Sequence, residues 1–261
     1  MTELTGKDFA DSAGHWYRRD GQPAYTIIGK NGRERNTTLR DAREHGLVPS
    51  VSTICRLEAR PALERWKIEQ ACLACITLPR LQGESDDAFM SRALEDSRKQ
   101  AQKAAERGTY LHGLIERAIG ADPLEGVSGA DMAIVTPVLS WISEHFQHPE
   151  WKRNPERSFA AAKFGGKIDL HCTTGNSAVV IDFKTKSGIS KGKELAYDEH
   201  ITQLAAYAYG IGAPIAQCIN LFIDVDVPGL IVPKEWTTEE RDLGWQAFSH
   251  LLGLWYVRKG L

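Results

Sequence analysis

The alternation of apolar and polar positions divides the chain into a helical front half and a strand-rich rear half. Three front segments, residues 63–78, 87–119 and 130–146, are rich in helix-forming residues and carry apolar side chains at helical spacing. The first helix is expected to begin near Pro61, because a first helical turn accommodates proline. A helix is predicted in the third segment despite Pro137.

The pattern changes after Pro155. Short runs rich in β-branched residues predict strands over residues 157–162, 167–173 and 178–184, with a turn at 175–176 between the last two. A helix over 196–210, strands over 217–225 and 230–232, and an amphipathic helix over 238–257 complete the predicted elements. This order favours an α/β fold in one compact domain, with a β-β-β-α-β core.

A β-hairpin is predicted near the N-terminus, over residues 24–38. The pair Asn31–Gly32 is a strong turn signal between its two strands. Basic residues are frequent around the hairpin and are only partly offset by acids: Arg18, Arg19, Lys30, Arg33, Arg35, Arg40 and Arg43. Residues 1–60 are therefore described as a basic N-terminal extension.

The composition is that of an ordinary globular protein. Of the 261 residues, 42% are hydrophobic and 25% are charged, with a formal net charge of −2. A net charge this small argues against a general binder of polyanions. No apolar run approaches the roughly 20 residues of a membrane span, and Met1–Lys7 does not resemble a signal peptide. A cytoplasmic protein without a membrane partner is expected.

The five cysteines, Cys55, Cys72, Cys75, Cys172 and Cys218, are irregularly spaced. An odd number at such spacing argues against a disulfide framework. Cys72 and Cys75 have the spacing of a metal knuckle or a redox pair, but no second pair of this kind follows. We predict that they are buried structural thiols packed in the 63–78 helix, rather than a metal site.

Positive charge is concentrated between residues 163 and 193. Six lysines occur there, Lys163, Lys167, Lys184, Lys186, Lys191 and Lys193, and Asp169 and Asp182 are the only acids among them. A solvated, lysine-rich loop explains residues 186–193 equally well. The two regularly placed carboxylates, however, favour a functional site.

Asp169 and Asp182 are expected near the ends of adjacent antiparallel strands, where their carboxylates can meet. Lys184 lies two residues after Asp182 and therefore on the same strand face. Mg²⁺ prefers carboxylates together with water and substrate phosphate, and a neighbouring lysine can orient water or neutralise charge on a phosphate. The D-x-K tripeptide alone is weak evidence, and a structural salt bridge explains it better.

Two helix motifs accompany these residues. Gln203 and Tyr207 are four residues apart, so they share one helix face. Upstream, His112 is followed one turn later by Glu116, and a neutral imidazole is a common metal ligand. Packing or solvent exposure explains each motif alone. The ordered set of histidine, aspartate, D-x-K and Q-x-x-x-Y is far less expected by chance.

This ordered set resembles the RecB-like nucleases of the PD-(D/E)XK superfamily, which include phage-type and mitochondrial genome maintenance exonucleases. The matching segments are Gly108–His112, Gly166–Asp169, Asp182–Lys184 and Gln203–Tyr207. Pro49–Ile54 resembles a P-S-V-T-T-I segment of phage-encoded members. The motifs span residues 49–207, and the N-terminal hairpin and the final helix lie outside them.

The resemblance implies a restriction-endonuclease-like α/β core, in which helices flank a mixed β-sheet, with a helical N-terminal half. Residues 1–261 would form a single nuclease domain, made of the extension 1–60, a helical region 61–150 and an α/β catalytic core 151–261. Some relatives hold an iron–sulfur cluster on one upstream and three clustered downstream cysteines. Only Cys218 lies downstream of the core, so no iron–sulfur cluster is expected.

The same resemblance implies roles for the motif residues. The ligands of Mg²⁺ or Mn²⁺ would be His112, Asp169, Asp182 and the backbone carbonyl of Phe183. Lys184 would position or activate the attacking water, while Gln203 and Tyr207 would brace the site and contact nucleic acid. Further DNA contacts are expected from Lys163, Lys167, Lys186, Ser50, Ser52 and Tyr110. Glu156 is equally explained as a neighbour of the site or as an exposed residue.

The leading hypothesis is a metal-dependent DNA exonuclease acting at free or single-stranded ends, in phage or plasmid recombination, replication or repair within a bacterial or phage-infected cell. A recombination or replication protein is a candidate partner. An endonuclease of the same superfamily is the nearest alternative, because the motifs do not encode end dependence. A non-catalytic DNA-binding recombination partner is another alternative. Trp66 is a candidate for stacking on unpaired bases, although core packing is favoured for it.

Overall fold

The computed structural model describes residues 14–175, 177–192 and 194–260. Its N-terminal part consists of short elements. In chain order they are β1 (Trp16–Tyr17), β2 (Thr26–Ile28), β3 (Glu34–Asn36), α1 (Leu39–His45), β4 (Val48–Pro49) and α2 (Val51–Cys55). Strands β2 and β3 form the predicted hairpin. Its turn places Gly32 at φ +72°, which glycine adopts without strain. The segment Met1–Lys7, Asn176 of the predicted turn and Lys193 lie outside the described residues.

Three long helices follow, as predicted: α3 (Pro61–Thr77), α4 (Asp86–Ile119) and α5 (Gly129–His145). Pro61 lies in the first turn of α3, and α5 continues through Pro137. The C-terminal half of α4 is anchored by buried Leu111 and Ile115, whereas α3 packs mainly against α4. Within the part of the chain that is described, no helix is both long and apolar enough to cross a membrane.

The rear half forms a five-stranded mixed sheet with the order β5-β6-β7-β8-β9. Its elements are β5 (Lys152–Ala160), β6 (Gly165–Thr173), β7 (Ala178–Lys186), α6 (Asp198–Gly210), β8 (Gln217–Asp224), β9 (Ile231–Trp236) and α7 (Thr238–Lys259). Helix α6 is the crossover between β7 and β8, which pair in parallel, and the other neighbours are antiparallel. The described residues therefore form a mixed α/β fold with seven α-helices.

Alternating side chains of β7 separate the two faces of the sheet. Val180 belongs to the core shared with α2, α6 and α7, whereas Ile181 and Phe183 belong to the core shared with α4 and α5. Since side chains alternate along a strand, Asp182 and Lys184 lie on the same face as Val180, toward α6.

The two outer strands extend further than predicted. β5 begins at Lys152 instead of residue 157, and β9 ends at Trp236 instead of residue 232. Each added segment contains a proline, Pro155 or Pro233, and none of its residues is buried. An edge strand tolerates proline because one side of its backbone needs no ladder hydrogen bond. Edge position, which depends on tertiary structure, therefore explains both differences.

The prediction for Cys72 and Cys75 is wrong, because both thiols are exposed. Only Ala74 is buried along α3, which leaves most of this helix facing solvent. The expectation that Trp66 packs in the core is also incorrect, since its side chain is half-buried and belongs to neither hydrophobic core. Helical periodicity predicted the helix correctly, but it did not reveal how little of the helix is covered.

Candidate active site

The candidate site lies where β6 separates from β7. The two strands pair only from Leu170 to Thr173 of β6, so Asp169 lies at the point where they part. Oδ2 of Asp169 accepts a hydrogen bond from the backbone N–H of Phe183 at 2.8 Å. In a strand the N–H and C=O of one residue point to the same side, so the Phe183 carbonyl also faces this gap.

A chain of hydrogen bonds links the D-x-K segment to α6. Nζ of Lys184 lies 3.0 and 2.7 Å from the two carboxylate oxygens of Asp182, and it donates to Oε1 of Gln203 at 3.2 Å. Nε2 of Gln203 in turn donates to the hydroxyl of Tyr207 at 2.9 Å. Asp182 and Tyr207 are only 3% and 5% exposed, so water competes little for these bonds. The structure thus brings these four predicted site residues together.

His112 approaches the same gap from α4. Its Nδ1 lies 3.5 Å from Oδ2 of Asp169, and its ring packs edge-on against Phe183. Helix α4 runs close to β7 here, since a Cβ on Gly108 would lie 2.9 Å from Oγ1 of Thr185. Glycine at this position therefore lets the helix bring His112 next to the first aspartate.

Two carboxylates share this site. Burial, and then the charge of Asp182, raise the pKa of Asp169 to about 6, despite the opposing charges of His112 and Lys184. A divalent cation would offset this repulsion, and carboxylate, imidazole and carbonyl donors are ligands that Mg²⁺ and Mn²⁺ accept. The chemistry of the donor set therefore fits such an ion.

The donors do not, however, converge on one point. Among the described residues, no three His, Cys, Asp or Glu side chains form a group that could hold a metal ion. Both oxygens of Asp182 are instead engaged by neighbouring donors, with Lys184 at 2.7 and 3.0 Å and Asn220 at 2.7 Å. Oδ1 of Asp182 has only one of these donors, Lys184, so one of its lone pairs is left with which to coordinate an ion.

The raised pKa of Asp169 predicts an unusual effect on stability. An aspartate in the unfolded chain has a pKa of about 4. Between about pH 4 and 6, Asp169 therefore binds more protons in the folded protein than in the unfolded chain, and the folded protein loses stability as the pH rises. Asp169→Asn should therefore raise the free energy of unfolding by on the order of 1–3 kcal/mol at pH 7.5, and by less near pH 4. Urea denaturation in EDTA measures the difference. A variant less stable than the parent at pH 7.5 would contradict it.

Two further residues of the site were not predicted from the sequence. Nδ2 of Asn220 donates to Oδ2 of Asp182 at 2.7 Å, and its Oδ1 accepts from the indole N–H of Trp236 at 2.8 Å. Asn220 is fully buried and lies beside Asp182 in the parallel register of β7 and β8. A polar residue inside the apolar run Cys218–Ile223 was the available signal, because a buried amide needs partners.

Lys167 and Glu156 lie close to Asp169. Glu156 lies within β5 and has a φ of +52°. Its neighbours Pro155 and Arg157 pair with Leu170 and Ile168 of β6, so Glu156 lies opposite Asp169. Its half-buried carboxylate forms an ion pair with exposed Lys167. Lys163 is exposed in the turn between β5 and β6, and its ammonium lies 5.8 Å from the ring centre of Tyr256. Lys163 and Lys167 thus lie on the surface beside β6.

Other residues predicted to bind DNA have partners within the protein. Nζ of Lys186 donates to the carbonyl of Leu195 at 2.8 Å, and burial lowers its pKa to about 8. The hydroxyl of Tyr110 donates to Asp131 of α5 at 3.2 Å, which directs this ring toward α5. These contacts hold the segment after β7 and the α4–α5 pair in place.

The serines of the 49–54 segment form the start of α2. Oγ of Ser50 accepts from the backbone N–H of Thr53 at 3.0 Å as a helix cap and lies 3.0 Å from Oγ of Ser52. Ser50 is buried and also bridges to Gly165 at the start of β6. This segment therefore fastens α2 to the strand that carries Asp169.

Comparison with known proteins leaves the family unassigned. No family model and no curated protein matches the chain. Among solved structures, that of SSO0001 is 18% identical over 48% of this chain, at a TM-score of 0.28. The match spans 62% of that protein, which is less than two thirds of its length. An alkaline exonuclease (LHK-Exo) from Laribacter hongkongensis is 13% identical over 76% of this chain and 94% of its own, at 0.32. Its complex with dAMP matches over 73% and 88%, also at 0.32.

Proposed function

We propose that this chain is a Mg²⁺- or Mn²⁺-dependent DNA exonuclease of the RecB-like, PD-(D/E)XK type. The observation that carries the proposal is the proximity of two pairs of side chains at the end of the β6–β7 pairing: His112 lies 3.5 Å from Asp169, and Lys184 contacts Asp182, whose charge raises the pKa of Asp169. Two carboxylates and an imidazole can hold a divalent cation, and a neighbouring lysine can offset the charge that develops on a phosphate.

In this proposal each residue has a distinct task. Asp169, Asp182, His112 and the carbonyl of Phe183 would hold the cation, which supplies electrostatic stabilisation to the scissile phosphate. Lys184 orients the attacking water and offsets the charge that develops on the phosphate. Its ammonium is held by Asp182 and Gln203, so that it needs little reorganisation during the reaction.

The remaining contacts with DNA are assigned by position. Gln203 and Tyr207 lie at the site and would brace Lys184 beside the scissile phosphate. Lys163 and Lys167 are exposed next to the strand that carries Asp169, and they would contact the DNA backbone without reading its sequence. A role in phage or plasmid recombination, replication or repair, with a protein partner from that process, belongs to the same proposal.

An exonuclease requires a free end, and this distinguishes it from an endonuclease of the same type. With Mg²⁺ present, the protein should degrade a linear DNA completely while leaving a covalently closed circle of identical sequence intact. Gel electrophoresis of both substrates, single- and double-stranded, measures the difference. Nicking or linearisation of the circle by pure protein would replace the exonuclease with an endonuclease, whereas cleavage of neither substrate would overturn the nuclease itself.

A further inference from the structure

A cavity of about 520 Å³ separates the N-terminal half of α3 from the segment that precedes α6. Its charged and aromatic lining residues are Arg65, Trp66 and Glu69 of α3, Glu194 and Tyr197 of the segment before α6, and Glu199 in the first turn of α6. The cavity therefore has one aromatic ring on each wall.

Neither aromatic residue belongs to a hydrophobic core. Trp66 is half-buried on α3. Tyr197 is fixed from behind, since the ammonium of Lys186 lies 4.7 Å from its ring centre and its hydroxyl donates to the carbonyl of Glu194 at 3.0 Å. The held ring of Tyr197 and the half-buried ring of Trp66 provide stacking surfaces for a flat ligand at this open cavity.

The cavity adjoins the candidate active site. Tyr197 directly precedes α6, which carries Gln203 and Tyr207. Lys186, which contacts Tyr197, follows Lys184 by two residues and lies on the same face of β7. A DNA strand with a phosphate at Lys184 can therefore place a neighbouring nucleotide at the cavity.

The charges of the cavity select the part of a nucleotide that fits. Glu69, Glu194 and Glu199 outnumber Arg65 and would repel a phosphate. An uncharged base is not repelled, and carboxylates accept hydrogen bonds from the exocyclic amino groups of bases. Arg65 is exposed and can meet the backbone outside the cavity.

We propose that this cavity receives one unpaired base of single-stranded DNA, stacked against Trp66 and Tyr197 beside the candidate active site. The inference rests on the proposed function, which identifies DNA as the substrate. A base inside a duplex is already stacked and paired, so the cavity favours single-stranded DNA over a duplex.

The test measures binding without cleavage. The Asp182→Asn variant is titrated in EDTA with labelled single-stranded oligonucleotides, each with one abasic site at a different distance from an end. Loss of the base that enters the cavity should lower the affinity roughly tenfold, whereas abasic sites elsewhere should have little effect. This scan requires no change to the cavity itself.

Variants of α3 then locate the effect. In the same background, Trp66→Ala should lower the affinity for the intact oligonucleotide by about the same factor and remove its dependence on the abasic position. Trp66→Phe keeps a ring and should restore most of the affinity. Ile68→Ala, which trims a side chain 64% exposed, should bind like the parent.

The outcomes separate this inference from the proposed function. A flat abasic profile, or a profile that persists unchanged in Trp66→Ala, overturns the cavity as a base site, even if the parent protein degrades linear DNA. An oligonucleotide that does not bind overturns it as well. Cleavage by the parent with Mg²⁺ is measured in parallel and tests the nuclease by itself.

Discussion

Asp182→Asn and Lys184→Ala should each lower DNA cleavage by on the order of a hundredfold or more, while DNA binding remains. The asparagine keeps the size of Asp182 and can still contact Asn220, but it removes the charge that would hold a cation. The alanine removes the ammonium that is linked to Asp182 and Gln203 and that would orient the water. Rates of nucleotide release and fluorescence anisotropy of labelled DNA measure the two effects separately.

A matched control distinguishes chemistry from folding. Lys234 also pairs with a carboxylate, that of Glu240 at 3.0 Å, but it lies on edge strand β9. Lys234→Ala should therefore cleave DNA like the parent. Because Lys184→Ala leaves the carboxylate of Asp182 buried with fewer partners, its unfolding transition must be recorded as well. Near-normal cleavage by either folded site variant would show that the catalytic centre lies elsewhere.

The second large effect concerns metal. Cleavage should disappear in excess EDTA and return with Mg²⁺ or Mn²⁺, because a cation would offset the repulsion between the two carboxylates and stabilise the charge that develops on the phosphate during hydrolysis. Ca²⁺ should bind to the same oxygen donors with little turnover, and it should inhibit the reaction with Mg²⁺. The rate of cleavage as a function of each metal concentration provides the measurement.

The shape of the metal dependence is informative for His112. The variant His112→Ala serves as a control, since loss of one ligand should raise the concentration of Mg²⁺ needed for half-maximal activity without abolishing it. Full cleavage by the parent in excess EDTA would refute metal dependence. An unchanged requirement in His112→Ala would remove the histidine from the proposed ligand set.

Spacing along single elements made much of the site predictable. Asp182 and Lys184 share a strand face because they are two residues apart, and Gln203 and Tyr207 share a helix face because they are four apart. Each pair is in direct contact in the structure. Local periodicity also predicted the helices α3 to α7 to within a few residues.

Features that depend on contacts between elements were not predictable in this way. Asn220 reaches Asp182 only because β8 pairs in parallel with β7 in one particular register, and Trp236 reaches Asn220 from the next strand. The exposure of Cys72 and Cys75 similarly depends on what packs on α3. The local pattern of a single sequence reveals neither the register between strands that are far apart along the chain nor which elements pack on a given helix.

Anomalous diffraction from crystals grown with Mn²⁺ and a short single-stranded oligonucleotide tests the proposed centre most directly. Asp169 and Asp182 are proposed to hold the cation at which DNA is cut, so a Mn²⁺ peak is predicted within about 2.0–2.4 Å of a carboxylate oxygen of each. A phosphate of the oligonucleotide should complete its coordination, next to Lys184. A metal ion and phosphate bound elsewhere, with no Mn²⁺ peak between Asp169 and Asp182, would contradict the proposed catalytic centre.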